Sequence, residues 1–192
     1  MQIDLIQDSK NLKIKINSQL DKMILAAEKN GGFKKLQFSV FNIDEIDVKQ
    51  FKINNIVYVI KIIDFGSDLN SHSFCSRIKR IKDTNKSLKL PKVNLHNLSN
   101  NDSVLYVGKS SKNFANRMKQ HFGKSSKKTY SLQIQSWLMY PELSNIKFEL
   151  YYSSIDFETL KIEEHEEQKI LLELLETAMH DKYKPMLGRT GH

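Results

Sequence analysis

The run Ile53–Ile63 constrains this chain more than any other feature. Ile53, Ile56, Val57, Tyr58, Val59, Ile60, Ile62 and Ile63 make it nearly all β-branched or aromatic. Such side chains favour the pleated backbone, and a strand apolar on both faces has to be covered on both. The spacing predicts a buried strand over 53–63, ended by Asp64-Phe65-Gly66-Ser67.

The neighbouring segments supply material to cover it. Leu12, Ile16, Leu20, Met23, Ile24 and Ala27 fall at helical spacing, which predicts a helix over 11–29, stopped by Gly31-Gly32. Leu36, Phe38, Val40 and Phe41 predict a strand over 35–43. Further strands are expected at 104–107 and 146–153. A helix over 112–122 would bury Phe114, Ala115, Met118 and Phe122, with Gly123 as its stop. Residues 130–140 read as helical up to Tyr140-Pro141. A last long helix is expected over 158–182, acidic in its first half and apolar at Ile170, Leu171, Leu174, Leu175 and Ala178 in its second.

Residues 67–102 differ. They are rich in Ser, Asn and Lys, and between Arg77 and Lys92 seven basic residues meet one acidic, Asp83. The plain reading is a solvated loop with a short helix. The functional one is a basic insertion at about 66–101 that touches phosphates. The whole chain of 192 residues carries a formal charge of +8, which favours polyanionic partners. With Cys75 the only cysteine, an internal disulfide or Cys-rich zinc site is excluded. The N-terminus lacks the pattern of a signal peptide, and no apolar run is long enough to span a bilayer. The expectation is a soluble cytoplasmic protein without a membrane partner.

Four pieces have chemical potential when taken together. They are the strand Ile56-Val57-Tyr58, the strand and turn Tyr106-Val107-Gly108-Lys109-Ser110, the helical pair Arg117 and His121, and Glu176 followed nine residues later by Pro185. Arg117 and His121 are spaced i, i+4, so both leave one flank of their helix. Each piece alone is ordinary: strand tyrosines usually pack, and helix arginines and glutamates usually face water. In this order the pieces resemble the GIY-YIG nuclease family, over about residues 53–188. Three positions differ from the family pattern. Ile56 replaces the first glycine, Tyr58 and Tyr106 stand far apart, and Gly188 replaces an asparagine that often follows the proline. Arg189, Thr190 or His192 are candidates to replace that asparagine.

The resemblance implies an α+β fold (α/β sandwich-like): a small antiparallel β-sheet flanked by helices. Residues 51–192 would form the nuclease domain. Residues 1–50 would be an N-terminal helix/strand extension packing on or preceding the core. It also implies roles. Tyr58 would serve as, or support, the general base. Tyr106 would bond the water or phosphate, and Lys109 would assist. Arg117 would hold the scissile phosphate, and His121 would make a secondary phosphate contact or shuttle a proton. Glu176 would bind one divalent cation, Mg²⁺ or Mn²⁺. DNA is the expected partner, with Arg77, Lys79, Arg80, Lys82, Lys112, Lys119, Lys124, Lys127 and Lys128 as candidate backbone contacts. The expected activity is metal-dependent DNA endonuclease. The alternative is a non-catalytic nucleic-acid-binding module on the same fold.

Overall fold

The computed structural model describes residues 32–66, 69–98 and 103–188, with Ile14, Asn17, Ser18, Asp21 and Lys22. Those five residues are helical and exposed. The rest of the expected helix over 11–29 lies outside the described residues.

The strands are β1 (Lys34–Ser39), β2 (Ile56–Asp64), β3 (Val104–Ser110) and β4 (Lys147–Ser154). They form a four-stranded sheet in the order β1-β4-β2-β3, every pair antiparallel. The fold is therefore α+β, as expected. β2 lies inside the sheet, and its residues from Ile56 to Ile60 are all buried. Ile56, Tyr58, Ile60 and Ile62 enter one core, while Val57 and Val59 enter a second on the opposite face. That is why the run had to be apolar on both sides. The α-helices longer than one turn among the described residues are α1 (Ser71–Thr84), α2 (Phe114–Phe122) and α3 (His165–Tyr183).

Several boundaries differ from the sequence expectation, each for a local reason. β1 stops at Ser39 because the Asn42 side chain accepts a 2.7 Å bond from the Ser39 N–H and starts a turn. Phe41, expected on an apolar face, is 64% exposed. The helix expected over 130–140 is a 3-10 segment, Ile134–Met139, because Gln133 has a left-handed backbone, φ 53°. Tyr140 ends that segment, as expected, and Pro141 begins a further short helix, Pro141–Ser144. α3 starts at His165, not 158. Asp156 accepts a bond from the Thr159 N–H, and Lys161 turns left-handed at φ 55°, so residues 156–161 fold as turns. The buried stripe of α3 is Leu171, Leu172, Leu175 and Met179, with Ile170 exposed. Ala178 is exposed too.

The insertion is not a solvated loop. Asn70 and Ser73 cap α1 reciprocally, and Phe74, Cys75, Ile78 and Ile81 recur at helical spacing and are buried. Burying a Phe or Ile side chain contributes about 1.5–3 kcal/mol, so this face anchors the helix firmly. Leu88 and Leu90 are buried after it. The Ser/Asn/Lys composition masked this period.

Residues 92–94 then meet the C-terminal segment. A bulge between Ile60 and Lys61 leaves Leu105 without a partner in β2. The freed edge of β3 is used. Met186 N–H donates to Val104 O and Leu187 N–H to Leu105 O, both at 2.9 Å. On its other side Leu187 bridges Val93, and Gly188 N–H donates to Lys92 O at 2.9 Å. Residues 185–188 thus lie between β3 and the insertion. No helix among the described residues is long and apolar enough to cross a membrane.

Candidate active site

The β2–β3 register opposes Tyr58 to Gly108 and Ile60 to Tyr106. Tyr58 and Tyr106 therefore sit diagonally on one face of the sheet, where their rings lie 6.2 Å apart and 22° from parallel. Glycine at 108 is required by this arrangement. A Cβ there would come within 2.5 Å of Tyr58 Cζ and 2.9 Å of Tyr106 Cε1. Gly108→Ala is expected to destabilise the fold by about 1–3 kcal/mol through overpacking and to displace both phenols. Thermal unfolding should show a lower Tm, and an unchanged Tm would mean that the ring stack gives way freely.

α2 lays Arg117 across both rings. Arg117 Nε donates to Tyr58 Oη at 3.3 Å and Nη2 to Tyr106 Oη at 3.0 Å. Nη1 donates to Gln120 Oε1 at 2.8 Å and to Tyr130 O at 3.5 Å. These bonds engage four of the five N–H groups of a guanidinium. Burial acts against the charge of Arg117, but Tyr58 and Tyr106 outweigh it, so the guanidinium stays protonated.

His121 lies behind this layer. It is wholly buried, and burial, then Arg117, hold its pKa well below the usual histidine range. The ring is therefore neutral. Its Nδ1 accepts the Leu132 N–H at 3.3 Å, which places the proton on Nε2. Nε2 then donates to Tyr58 Oη at 2.8 Å. Tyr58 Oη thus accepts from both His121 and Arg117, which fills the two lone pairs of a phenol oxygen. Burial first, partly offset by Arg117, pushes the Tyr58 phenol well above its ordinary pKa.

Tyr106, Lys109 and Arg117 line a cavity of about 570 Å³. α3 adds Glu173 and Glu176 to its walls, the insertion adds Lys82, Pro91 and Lys92, and Tyr130 and Gly188 complete it. Burial pushes the Glu176 carboxyl up to about 7, although Lys109 and Arg117 oppose this. Lys109 also donates its backbone N–H to that carboxylate. Its ammonium is held by Glu173 at 2.8 Å, and that hydrogen bond lowers the Glu173 pKa.

Of the candidate site residues, Tyr106, Lys109, Arg117 and Glu176 meet on this cavity. Tyr58 and His121 stand behind it, wholly buried. A direct contact of His121 with a phosphate is therefore not available, because Tyr58 and Tyr106 ring it in at 5.7 and 4.8 Å. Among the candidate basic contacts, Lys82 reaches the cavity. Arg77 does not: its guanidinium pairs with Glu142 and lies 5.8 Å from the Tyr140 ring. Lys124 Nζ is spent on Asp44 O and Ile46 O, each at 3.1 Å. Lys79, Arg80, Lys112, Lys119, Lys127 and Lys128 are exposed, away from the cavity lining.

The sequence reading missed Glu173, Gln120 and Tyr130. Glu173 was discoverable, being three residues before Glu176 and so on the same helical face. Gln120 relates to Arg117 in the same way. Tyr130 carries no sequence signal, because only the path of the loop 124–131 brings it to the cavity. Two asparagines of the insertion bond the segment that ends at Gly188. Asn94 Nδ2 donates to Pro185 O and Gly188 O, both at 3.1 Å, and Asn97 Nδ2 also reaches Pro185 O at 3.1 Å. Gly188 itself packs on Tyr106, where a Cβ would stand 3.2 Å from the ring. Arg189, Thr190 and His192 lie outside the described residues.

Among the described residues no three His, Cys, Asp or Glu side chains converge on a metal position. A cation here would take its protein ligand from Glu176, which suits an ion that keeps most of its waters and completes its shell with phosphate oxygens. The raised pKa of Glu176 fits this, since it marks a carboxylate whose charge the protein leaves poorly compensated.

Comparison with known proteins agrees with the geometry. Residues 97–187 match the family model described as the GIY-YIG catalytic domain. That span holds β3, α2, β4 and α3, and leaves Tyr58 outside. No curated protein and no solved structure gives a match.

Proposed function

The chain belongs to the GIY-YIG nuclease family, and from that premise we propose that it is a metal-dependent endonuclease hydrolysing DNA phosphodiester bonds. One observation carries this reading: Tyr106, Lys109, Arg117 and Glu176 face a single cavity, with Arg117 held by two phenols behind and beside it.

Phosphodiester hydrolysis needs a placed water, stabilisation of charge on the non-bridging oxygens, and neutralisation of the leaving oxygen. Arg117 supplies the second. Its bonds to the phenols orient the guanidinium, and the remaining Nη2 hydrogen is left for a phosphate oxygen. The long bond to Tyr130 O yields easily to a second phosphate oxygen. Glu176 would hold the divalent cation, Mg²⁺ or Mn²⁺, and such an ion would supply polarisation of the phosphate and a lowered pKa for water beside it. Tyr106 is the phenol that faces the substrate, and it aligns the water or the phosphate by its hydroxyl. Tyr58 supports rather than acts as the base: its lone pairs are taken and its phenol is hard to ionise. His121 fixes Tyr58 in turn. Lys109, turned by Glu173, adds a positive charge on the cavity wall.

The purified protein is expected to nick or linearise plasmid DNA with Mg²⁺ or Mn²⁺ and to stop on addition of EDTA. A protein that binds DNA with steep salt dependence and never cuts it would be the binding module instead.

A further inference from the structure

The insertion builds one wall of the cavity and holds it rigidly. Lys82 Nζ donates to Pro91 O at 3.1 Å. Lys89 N–H donates to Lys127 O, and Ser131 N–H to Lys89 O, both at 3.2 Å. Tyr130 is thereby clamped between the insertion and α2, its carbonyl also accepting from Arg117. Yet Tyr130 is 59% exposed while it lines the cavity, and the Lys89 ammonium stands over one face of its ring, 6.0 Å from the centre. Fixed backbone, open aromatic face and adjacent cation are the components of a base-stacking platform.

A base inside a duplex is already stacked on its neighbours and has no free face to offer. Resting on the nuclease reading, we propose that the substrate is DNA with an unpaired nucleotide beside the cut, such as a flap or a bulge, whose base stacks on Tyr130. Because Tyr130 and Arg117 line the same cavity, the stacked base is placed next to the phosphate that Arg117 holds. Lys92, exposed and on the cavity wall, meets a neighbouring phosphate of the same strand. Stacking accepts every base, so selection is by structure and only weakly by sequence.

The test compares cleavage and binding of a flapped duplex and a fully paired duplex of equal length. The wild type is expected to favour the flap, and Tyr130→Ala to reduce that preference by roughly 5- to 150-fold. Tyr130→Phe, which keeps the ring, should retain it. Lys92→Ala should lower the slope of log K against log salt by about one contact, whereas Lys34→Ala, on the sheet edge formed by β1, should not. Both Tyr130 and Lys92 are exposed, so these variants keep the fold. A wild type that cuts both duplexes equally overturns the proposal and leaves the nuclease reading standing. So does a Tyr130→Phe variant as impaired as Tyr130→Ala. A wild type that neither binds nor cuts either duplex overturns both.

Discussion

Arg117→Ala is expected to lower the cleavage rate at least 10²- to 10³-fold, the usual effect of removing a preorganised donor from developing charge. DNA binding should fall far less, since other cations around the cavity remain. The effect exceeds the loss of one phosphate contact because Arg117 also joins Tyr58, Tyr106 and Gln120. Its removal leaves the buried Tyr58 oxygen with His121 alone and lets Tyr106 move. Arg117→Lys should be nearly as inactive. A single ammonium cannot bond two phenols and a phosphate at the positions that a planar guanidinium reaches. Single-turnover cleavage with each variant measures this, with DNA binding by fluorescence anisotropy alongside. Near-normal turnover in Arg117→Lys would remove the planar geometry from the argument.

Glu176→Gln is expected to abolish metal-dependent cleavage and at the same time to stabilise the metal-free protein at alkaline pH. The carboxyl has an ordinary value near 4.5 and is pushed up to about 7 in the folded chain. Below pH 4.5 it is protonated in both states and costs nothing. As pH rises from 4.5 to 7 the unfolded chain releases the proton while the folded chain holds it, so stability falls. Above 7 the loss is complete, at roughly 3 kcal/mol. Glutamine carries no such penalty. The Tm of Glu176→Gln should therefore exceed that of the wild type at pH 8, with little difference at pH 5. Added Mg²⁺ should raise the wild-type Tm at pH 8 and leave the variant unmoved. Equal Tm values at both pH values would mean that the carboxylate is not burdened by burial. Because proton and cation compete for one carboxylate, cleavage by the wild type should rise with pH up to about 7.

How much of this was legible in advance depends on the range of the interaction concerned. Local periodicity revealed β2, β3, β4 and α2, because a strand repeats every two residues and a helix every 3.6. It failed where one residue overrules the pattern. Left-handed Gln133 and Lys161 break segments whose apolar spacing looked helical. In the insertion, polar composition hid a helix whose four buried apolar positions were in fact regularly spaced.

The residue types of the site were determined by sequence alone: a tyrosine, a Tyr-x-Gly turn, an Arg on a helix, a Glu before a proline. The chain order also determined that β2 is buried on both faces, since nothing else suits eight β-branched or aromatic residues in eleven. Only the tertiary structure separated Tyr106, which faces the cavity, from Tyr58, which the same motif makes equal to it. The difference arises from the β2–β3 register, with Tyr58 over Gly108, and from α2, which caps Tyr58 with Arg117 and His121. Only tertiary packing could bring Lys92 of the insertion and Tyr130 of the loop 124–131 to the cavity, because their distances from Glu176 along the chain carry no information about contact. Side-chain chemistry is written in the sequence, whereas exposure, charge state and partnership are set by which distant segments fold against each residue.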